Sequence, residues 1–280
     1  MKKRVKRLYN IAVDIICRFM DDNVGVYAAQ ASFFIIIAII PFVMLLLNLL
    51  HLFLPISSEM VDKIILNTMP ETVQSMLLTI VSELFEKSAS ASIISISAVS
   101  TLWLSSRGVM ALYQGINTVY HADMRNYFYS RAMSLLYTII FVVSIVLTVL
   151  VFTFRTTIQT AIAVYIPFVQ TVTSVIFENR TIIFVIMLTV IFTFLYKFLT
   201  SRSLHLKLLQ QVPGAFAAAV GWISFSYLYS LYIDNYSNYS YVYGSLTAII
   251  FFMLWLYFCM NIFLFGAQFN SSFKRITSEI

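Results

Sequence analysis

Residues 31–54 read ASFFIIIAIIPFVMLLLNLLHLFL, a continuous stretch without a charged side chain. An α-helix needs about 20 apolar residues to cross the hydrocarbon core of a bilayer. This stretch is long enough, so it predicts a transmembrane helix. Pro41 lies inside it and predicts a kink, because proline removes one helical hydrogen bond and frees backbone carbonyls.

Five more apolar stretches follow along the chain and extend the prediction to a bundle. The fold class we predict is all-α: a single polytopic membrane domain over residues 1–280, with about six transmembrane helices. Residues 88–106 are rich in serine and form the weakest candidate by hydropathy, and Pro213-Gly214 marks the entrance of the fifth span. The predicted spans are approximately residues 31–54, 88–106, 132–154, 181–199, 211–233 and 244–269.

Composition supports lipid as the solvent for much of the surface. The chain is 60% hydrophobic and 11% charged, whereas a soluble domain carries about 25% charged residues. There is too little polar surface to cover a water-soluble globule. The net charge of +6 could suggest a nucleic-acid partner. The basic residues are scattered between apolar segments, so we expect no nucleic-acid binding.

The distribution of basic residues predicts the orientation. Positive residues concentrate in cytoplasmic loops. With six spans and a cytoplasmic N-terminus, 14 basic residues fall inside the cell and 4 outside. If residues 156–177 formed a further full span, the tally would be 10 inside and 8 outside. We therefore predict that both termini are cytoplasmic, that residues 55–87 and 155–180 are outer segments, and that residues 156–177 are re-entrant or interfacial.

Two amphipathic segments flank the spans. Residues 1–23 form a basic arm, and helical spacing of apolar residues within 4–21 predicts a helix on the membrane surface or against the cytoplasmic end of the bundle. Residues 73–85 show the same periodicity in the first outer segment. This outer helix is either a lid or a simple interfacial connector.

One face of the second span carries small side chains. Such a face lets helices approach closely, and its hydroxyl groups can hydrogen-bond across the contact. The favoured interpretation is tight packing at the bundle centre, and the alternative is the wall of a cavity. The residues on this face are Ser90, Ser97, Thr101, Ser105, Gly108, Ala111 and Gly115.

Arg107 directly follows the predicted second span. An arginine at the inner membrane boundary can hold a lipid phosphate or an anionic substrate, because its planar guanidinium binds two oxygens at once. The alternative is a topology anchor that extends to the interface. Asn117 and Tyr120 follow along the chain as further candidate donors.

The sequence gives little sign of catalysis. The three histidines fall on different segments, and none has another His, Cys or Asp at metal-ligand spacing. No phosphate-binding loop or serine-nucleophile motif is present, so we expect no metal, no cofactor and no enzyme activity. No Asp, Glu or Lys lies near the middle of a span, which argues against a carboxylate proton relay.

Several motifs resemble the YihY/BrkB family of bacterial membrane proteins, formerly labelled ribonuclease BN. The resemblance covers nearly the whole chain and depends on the order and spacing of the motifs. They are AAQASFF at 28–34 with IPF at 40–42, LWLSSRG at 102–108, GINTVY at 115–120, Pro213-Gly214, YGSL at 243–246, WLY at 255–257 and FGAQFN at 265–270.

The resemblance implies six spans in a bacterial plasma (inner) membrane, a role in the cell envelope, and export of lipids or lipid-linked compounds. Family members commonly carry glutamate where this chain has Gln268, so a hydrogen-bonding role is expected there instead of an acid–base role. The candidate lipid-binding residues are Arg107, Asn117, Tyr120, Ser97, Thr101, Tyr243 and Gln268. The candidate structural residues are Pro41, Pro213, Gly214, Gly244 and Gly266.

The leading functional prediction is a transporter or flippase-like exporter of an amphipathic, anionic envelope compound. Membrane lipids are the expected partners, and envelope proteins are further candidates. The alternative is a membrane scaffold for an envelope assembly that transports nothing. A ribonuclease is the least favoured of the three hypotheses.

Overall fold

Six long α-helices make up most of the described chain. The computed structural model describes residues 13, 15–53, 91–122, 126–153, 180–201, 204, 206–235 and 246–278, with isolated positions between 59 and 82. No strand occurs within these ranges, so the predicted all-α class is confirmed. The helices are α1 (Val24–Phe53), α2 (Ala91–Val119), α3 (Tyr127–Thr153), α4 (Arg180–Leu199), α5 (Val212–Asn235) and α6 (Leu246–Ser278), and a short 3-10 helix (Leu208–Gln210) precedes α5.

The helices have the length and apolar character of membrane spans. Within the described residues, α1, α3, α4, α5 and α6 each contain a segment long and apolar enough to cross a bilayer. The 29 residues of α2 are also long enough, but its serines and threonines lower its hydropathy. Because α2 contacts α1, α3, α4 and α6, neighbouring helices cover several of its polar side chains, namely Ser97, Thr101, Ser106 and Asn117. A polytopic helical bundle is thus confirmed, and a membrane crossing by α2 stays a prediction.

The helices alternate in direction, and contacts gather one set of their ends together. His121 Nδ1, just after α2, lies 4.0 Å from Asp22 Oδ1, just before α1. Asn117 in the last turn of α2 donates a hydrogen bond to the carbonyl oxygen of Leu199, where α4 ends. We call this the inner end of the bundle, after the side on which the basic residues place it.

The remaining helices meet at the same inner end. The backbone N–H of Gly214 at the start of α5 donates to Asn270 Oδ1 near the end of α6. The hydroxyl of Ser134, two turns into α3, lies 3.3 Å from the sulfur of Met110 in α2. Since α3 leaves the inner end and α4 returns to it, the end of α3 and the start of α4 lie on the opposite side. This alternation agrees with an even number of crossings.

Small residues bring α1 and α2 into close contact. A Cβ atom added to Gly108 would lie 3.1 Å from Ile35 Cγ1, and one added to Gly115 would lie 2.9 Å from Tyr27 Cβ. Ala111, between these glycines, is fully buried. The packing interpretation of this face of α2 is therefore supported at its glycine-containing half, where side chains of α1 occupy the space that larger residues would need.

A second close approach joins α5 to α6. A Cβ on Gly214 would collide with the backbone oxygen of Gly266, and a Cβ on Gly266 would collide with the hydroxyl of Tyr196 and with Gly214. The Tyr196 hydroxyl donates to the carbonyl oxygen of Phe263 in α6. Backbone of one helix thus lies directly against backbone of the other, with a fully buried tyrosine of α4 beside the crossing.

Some predicted features lie outside the described residues. These include most of the N-terminal arm, the greater part of segment 55–87, the whole of segment 156–177, and both Tyr243 and Gly244. Pro41 lies inside α1, and Pro213 is the second residue of α5.

Substituting Gly266 by alanine should destabilise the bundle. The new methyl group has no space between Tyr196 and Gly214, and overpacking of this kind costs roughly 1–3 kcal/mol. Gly25→Ala is the matched control, because its added methyl group would lie 3.3 Å from a movable atom, the Tyr257 hydroxyl. The thermal midpoint in detergent should fall for Gly266→Ala and hold for Gly25→Ala. Equal midpoints would show that the α5–α6 crossing is looser than described.

Candidate functional site

Arg107 extends from the middle of α2 toward the outside of the bundle. Its side chain is exposed, and its guanidinium carbon lies 5.6 Å from the centre of the Phe34 ring in α1 and 5.7 Å from the centre of the Trp103 ring. Both separations are in the range of cation–π attraction. The close approach of α1 at Gly108 brings Phe34 to this position, so packing of the two helices fixes the base of the arginine site.

A second arginine, Arg131 of α3, shares the same aromatic ring. Its guanidinium carbon lies 4.7 Å from the centre of the Trp103 ring, and the positive charges of Arg107 and Arg131 repel each other across the short gap. The Nη2 atom of Arg131 is buried and has no hydrogen-bond partner within the described residues. Two cations are therefore held together by tertiary packing, with donor capacity left unused.

The two arginines line a small cavity of about 90 Å³ between α1, α2 and α3. Among the described residues that line it, none is acidic, and the polar side chains can all donate hydrogen bonds to an anion. The cavity opens to the outside of the bundle, because its lining residues Arg107 and Tyr127 are exposed. Its lining residues are Gln30, Arg107, Met110, Gln114, Tyr127 and Arg131.

An apolar strip on α2 leads away from the cavity. Ile96, Val99 and Trp103 precede Arg107 at helical spacing, and more than half of each side chain is exposed. These residues share one face of the helix. From Ile96 to Arg107 the strip covers about 16 Å along the helix axis, at about 1.5 Å per residue. The site therefore combines cationic donors at one end with an apolar surface at the other.

Exposed aromatic residues lie beside the cavity at the start of α3. Tyr127, Phe128 and Tyr129 are all exposed, and such residues are enriched where a membrane meets water. Arg131 follows them within one helical turn. Their position is consistent with an arginine pair at the depth of lipid phosphate groups.

Asn117 lies about 15 Å along α2 from Arg107, at about 1.5 Å per residue, and in a different environment. Its side chain is fully buried. The amide donates to the carbonyl oxygens of Tyr113 and Leu199, at 2.7 and 2.9 Å, and its oxygen accepts from the N–H of Ser201 at 2.7 Å. The hydrogen-bonding capacity of Asn117 is thus used to connect α2 to the end of α4.

Tyr120 belongs to a neighbouring buried network at the inner end. Its hydroxyl donates to Gln211 Oε1, and burial raises its pKa, which keeps the hydroxyl protonated. Asn270 Nδ2 donates to the carbonyl oxygen of Gln211 at 2.9 Å and to its Oε1 at 3.3 Å. The end of α2, the start of α5 and the end of α6 are joined by these contacts.

The other predicted site residues that the structure describes do not line the arginine cavity. Ser97, Thr101 and Gln268 are buried in the bundle. Thr101 Oγ1 and Gln268 Oε1 have no hydrogen-bond partner in the part of the chain that is described. Tyr243 lies outside that part. A ligand role for these four residues, and for Asn117 and Tyr120, stays a prediction.

The sequence alone does not predict most of the cavity. Arg131 is there only one of the 14 basic residues predicted inside the cell, Gln30 occurs only within the AAQASFF motif, and Gln114 and Tyr127 belong to no candidate site. These side chains come from three helices, so no spacing along the chain connects them. An indirect signal was present in Trp103, four residues before Arg107, because a tryptophan one turn from an arginine can offer a cation–π surface.

Among the described residues, no group of three or more His, Cys, Asp or Glu side chains is placed to hold a metal ion. The polar groups that do converge are the donors of the arginine cavity and the amide network at the inner end. This arrangement can bind an anion or hold helices together, and it offers no acid–base pair.

An antiparallel bundle with five helices of membrane-spanning length and composition defines a multi-pass helical membrane protein. The sequence profile of the family described as Virulence factor BrkB matches residues 15–279, so the chain belongs to that family. The family resemblance carried by the motifs is thereby confirmed. The chain is also similar to the ribonuclease-like protein YfkH of Bacillus subtilis (strain 168), with 26% identity over 245 residues, which cover 87% of this chain and 88% of YfkH. No solved structure gives a significant match.

Replacing Asn117 by alanine should lower stability without changing lipid binding at Arg107. The substitution leaves the buried Leu199 carbonyl and Ser201 N–H without their partner, at a cost of about 1–3 kcal/mol for each unsatisfied group. Asn261→Ala is the matched control, because the Asn261 amide donates within its own helix, to the Tyr257 carbonyl oxygen. Thermal midpoint and bound lipid should be measured together. Loss of lipid from Asn117→Ala at unchanged stability would instead place Asn117 in the ligand site.

Proposed function

We propose that this protein binds an anionic amphipathic lipid of the bacterial plasma membrane and transports it between leaflets. The observation that supports this most directly is the arginine pair, which lines a laterally open cavity at one end of the exposed apolar strip. In this arrangement the lipid head group binds Arg107 and Arg131, and an acyl chain lies along Trp103, Val99 and Ile96.

The charge of the site favours an anionic ligand. Arginine remains protonated at any physiological pH, so Arg107 and Arg131 cannot relieve their mutual repulsion by losing a proton. A bound phosphate reduces this repulsion and accepts hydrogen bonds from the guanidinium groups. The unpartnered Nη2 atom of Arg131 supplies one such donor.

The lateral opening favours a ligand that arrives from the membrane. Tyr127 in the cavity lining and Trp103 beside the two arginines are exposed, and both side chains are amphipathic. A lipid can reach the arginines by diffusing within its own leaflet, without leaving the bilayer. Transfer of the head group past the serine- and threonine-bearing face of α2 is the further step that makes the protein a transporter.

Substitutions of Arg107 test the binding step. Arg107→Lys keeps the charge but loses the bidentate geometry, and Arg107→Ala loses both. Since a hydrogen bond to a charged group contributes about 1.5–3 kcal/mol, retained anionic lipid should fall by about tenfold or more in Arg107→Ala, with Arg107→Lys between that variant and wild type. Lys207→Ala is the matched control, because Lys207 is an exposed cation outside the cavity.

The measurement is anionic lipid per protein after purification in mild detergent, with thermal stability determined in parallel. Equal retention in all four proteins at equal stability would leave Arg107 as a topology anchor and refute the binding role.

Reconstituted vesicles test the transport step. A fluorescent anionic phospholipid placed in both leaflets is quenched from outside by dithionite, so the fraction quenched reports movement between leaflets. Wild-type protein should raise that fraction above the half expected for protein-free vesicles, and Arg107→Ala should lower the rate. Lipid retention without any leaflet exchange would favour the scaffold hypothesis over transport.

A further inference from the structure

We infer that the arginine cavity selects a terminal phosphomonoester, carried by a lipid, over the phosphodiester head groups of common anionic phospholipids. This inference rests on the proposed function, because it names the chemical class of the ligand at the same site. The supporting observations are the number of cations in the cavity, the donors around it and its size.

The first observation is the charge of the lining. Of the six lining residues that the structure describes, two are arginines and none is acidic. A phosphodiester carries one negative charge, whereas a phosphomonoester carries about 1.5 to 2 at pH 7 because its second pKa is about 6. A monoanion compensates one guanidinium and leaves the other in repulsion, while a dianion compensates both.

The second observation is the distribution of donors. Arg107 reaches the cavity from α2 and Arg131 from α3, while Gln30 of α1 and Gln114 of α2 add neutral amides. Donors therefore come from three helices. A phosphomonoester presents three terminal oxygens, so it can accept from several of these groups at once. A phosphodiester has only two non-bridging oxygens for the same set.

The third observation is the volume. The cavity measures about 90 Å³, well below the roughly 300–1,000 Å³ of pockets that enclose a whole small molecule. It has room for a terminal group but little for a second substituent. The single ester link of a phosphomonoester can leave through the lateral opening toward Trp103. A phosphodiester has to pass its head-group alcohol through the same opening, beside the lipid chain.

A competition experiment tests the selectivity. The protein is reconstituted in nanodiscs of phosphatidylcholine with equal small fractions of phosphatidic acid, a phosphomonoester, and phosphatidylglycerol, a phosphodiester. Lipid that remains with the protein on transfer to detergent is then quantified. Wild type should retain phosphatidic acid over phosphatidylglycerol by about tenfold at pH 7.5, the effect expected for one additional charge-assisted contact.

Variants and pH give the matched controls. Arg131→Gln should reduce the preference to nearly none. Arg131→Lys keeps the cation and its attraction to Trp103, so it should keep part of the preference for phosphatidic acid. This variant tests the inference even if Arg131→Gln fails to fold. Lys207→Gln should keep all of it. Lowering the pH to 5 protonates the phosphomonoester and should shrink the preference in wild type.

The outcomes separate this inference from the proposed function. Equal enrichment of both anionic lipids over phosphatidylcholine would overturn the selectivity and leave anionic lipid binding in place. Enrichment of neither would refute both. Displacement of phosphatidic acid by millimolar inorganic phosphate would assign the cavity to soluble phosphate compounds and overturn a lipid as the ligand.

Discussion

Two guanidinium groups that cannot lose their protons lie against one indole ring, and this constraint explains most of the site. Attraction to Trp103 holds Arg107 and Arg131 in place, but it does not remove their repulsion. The positions of the two arginines depend on helix packing, because the contact of Gly108 with Ile35 brings α1 close enough to place Phe34 beside Arg107. The close packing of α1 against α2 therefore also determines where the two uncompensated charges lie.

The bundle contains two kinds of polar assembly, and they differ in how far their hydrogen bonds are satisfied. The amides of Asn117 and Asn270 bind backbone groups of neighbouring helices, which is the usual use of buried amides in membrane bundles. Within the described part of the chain, the arginine cavity has no acidic lining residue, and the Nη2 atom of Arg131 has no hydrogen-bond partner. In a structural contact we expect all hydrogen-bonding groups to be paired. In a binding site we expect donors without a protein partner next to an opening.

Hydropathy was sufficient to predict the all-α membrane bundle, because long uncharged stretches such as residues 31–54 leave few alternatives in a chain with 11% charged residues. The arginine site was harder to predict from the sequence. The sequence places Arg107 at the end of an apolar segment. In the structure α2 continues to Val119, so this arginine lies within the helix. Asn117 looked like a candidate donor because a sequence does not show which backbone groups a buried amide will meet. Arg131 was missed since its relation to Trp103 exists only after α2 and α3 pack together.

A distance between lipid phosphorus and arginine carbon tests the central claim most directly. Protein labelled with ¹³C at the arginine Cζ atoms, in bilayers containing phosphatidic acid, can be studied by ¹³C–³¹P dipolar recoupling in the solid state. The account predicts strong dephasing of the arginine Cζ signal by phosphorus, because the phosphate accepts hydrogen bonds from the guanidinium groups. This dephasing should disappear in the Arg107→Lys, Arg131→Lys double variant and persist in Lys207→Gln. Dephasing that is equally strong in the double variant, or absent from wild type, would contradict a lipid phosphate held between Arg107 and Arg131.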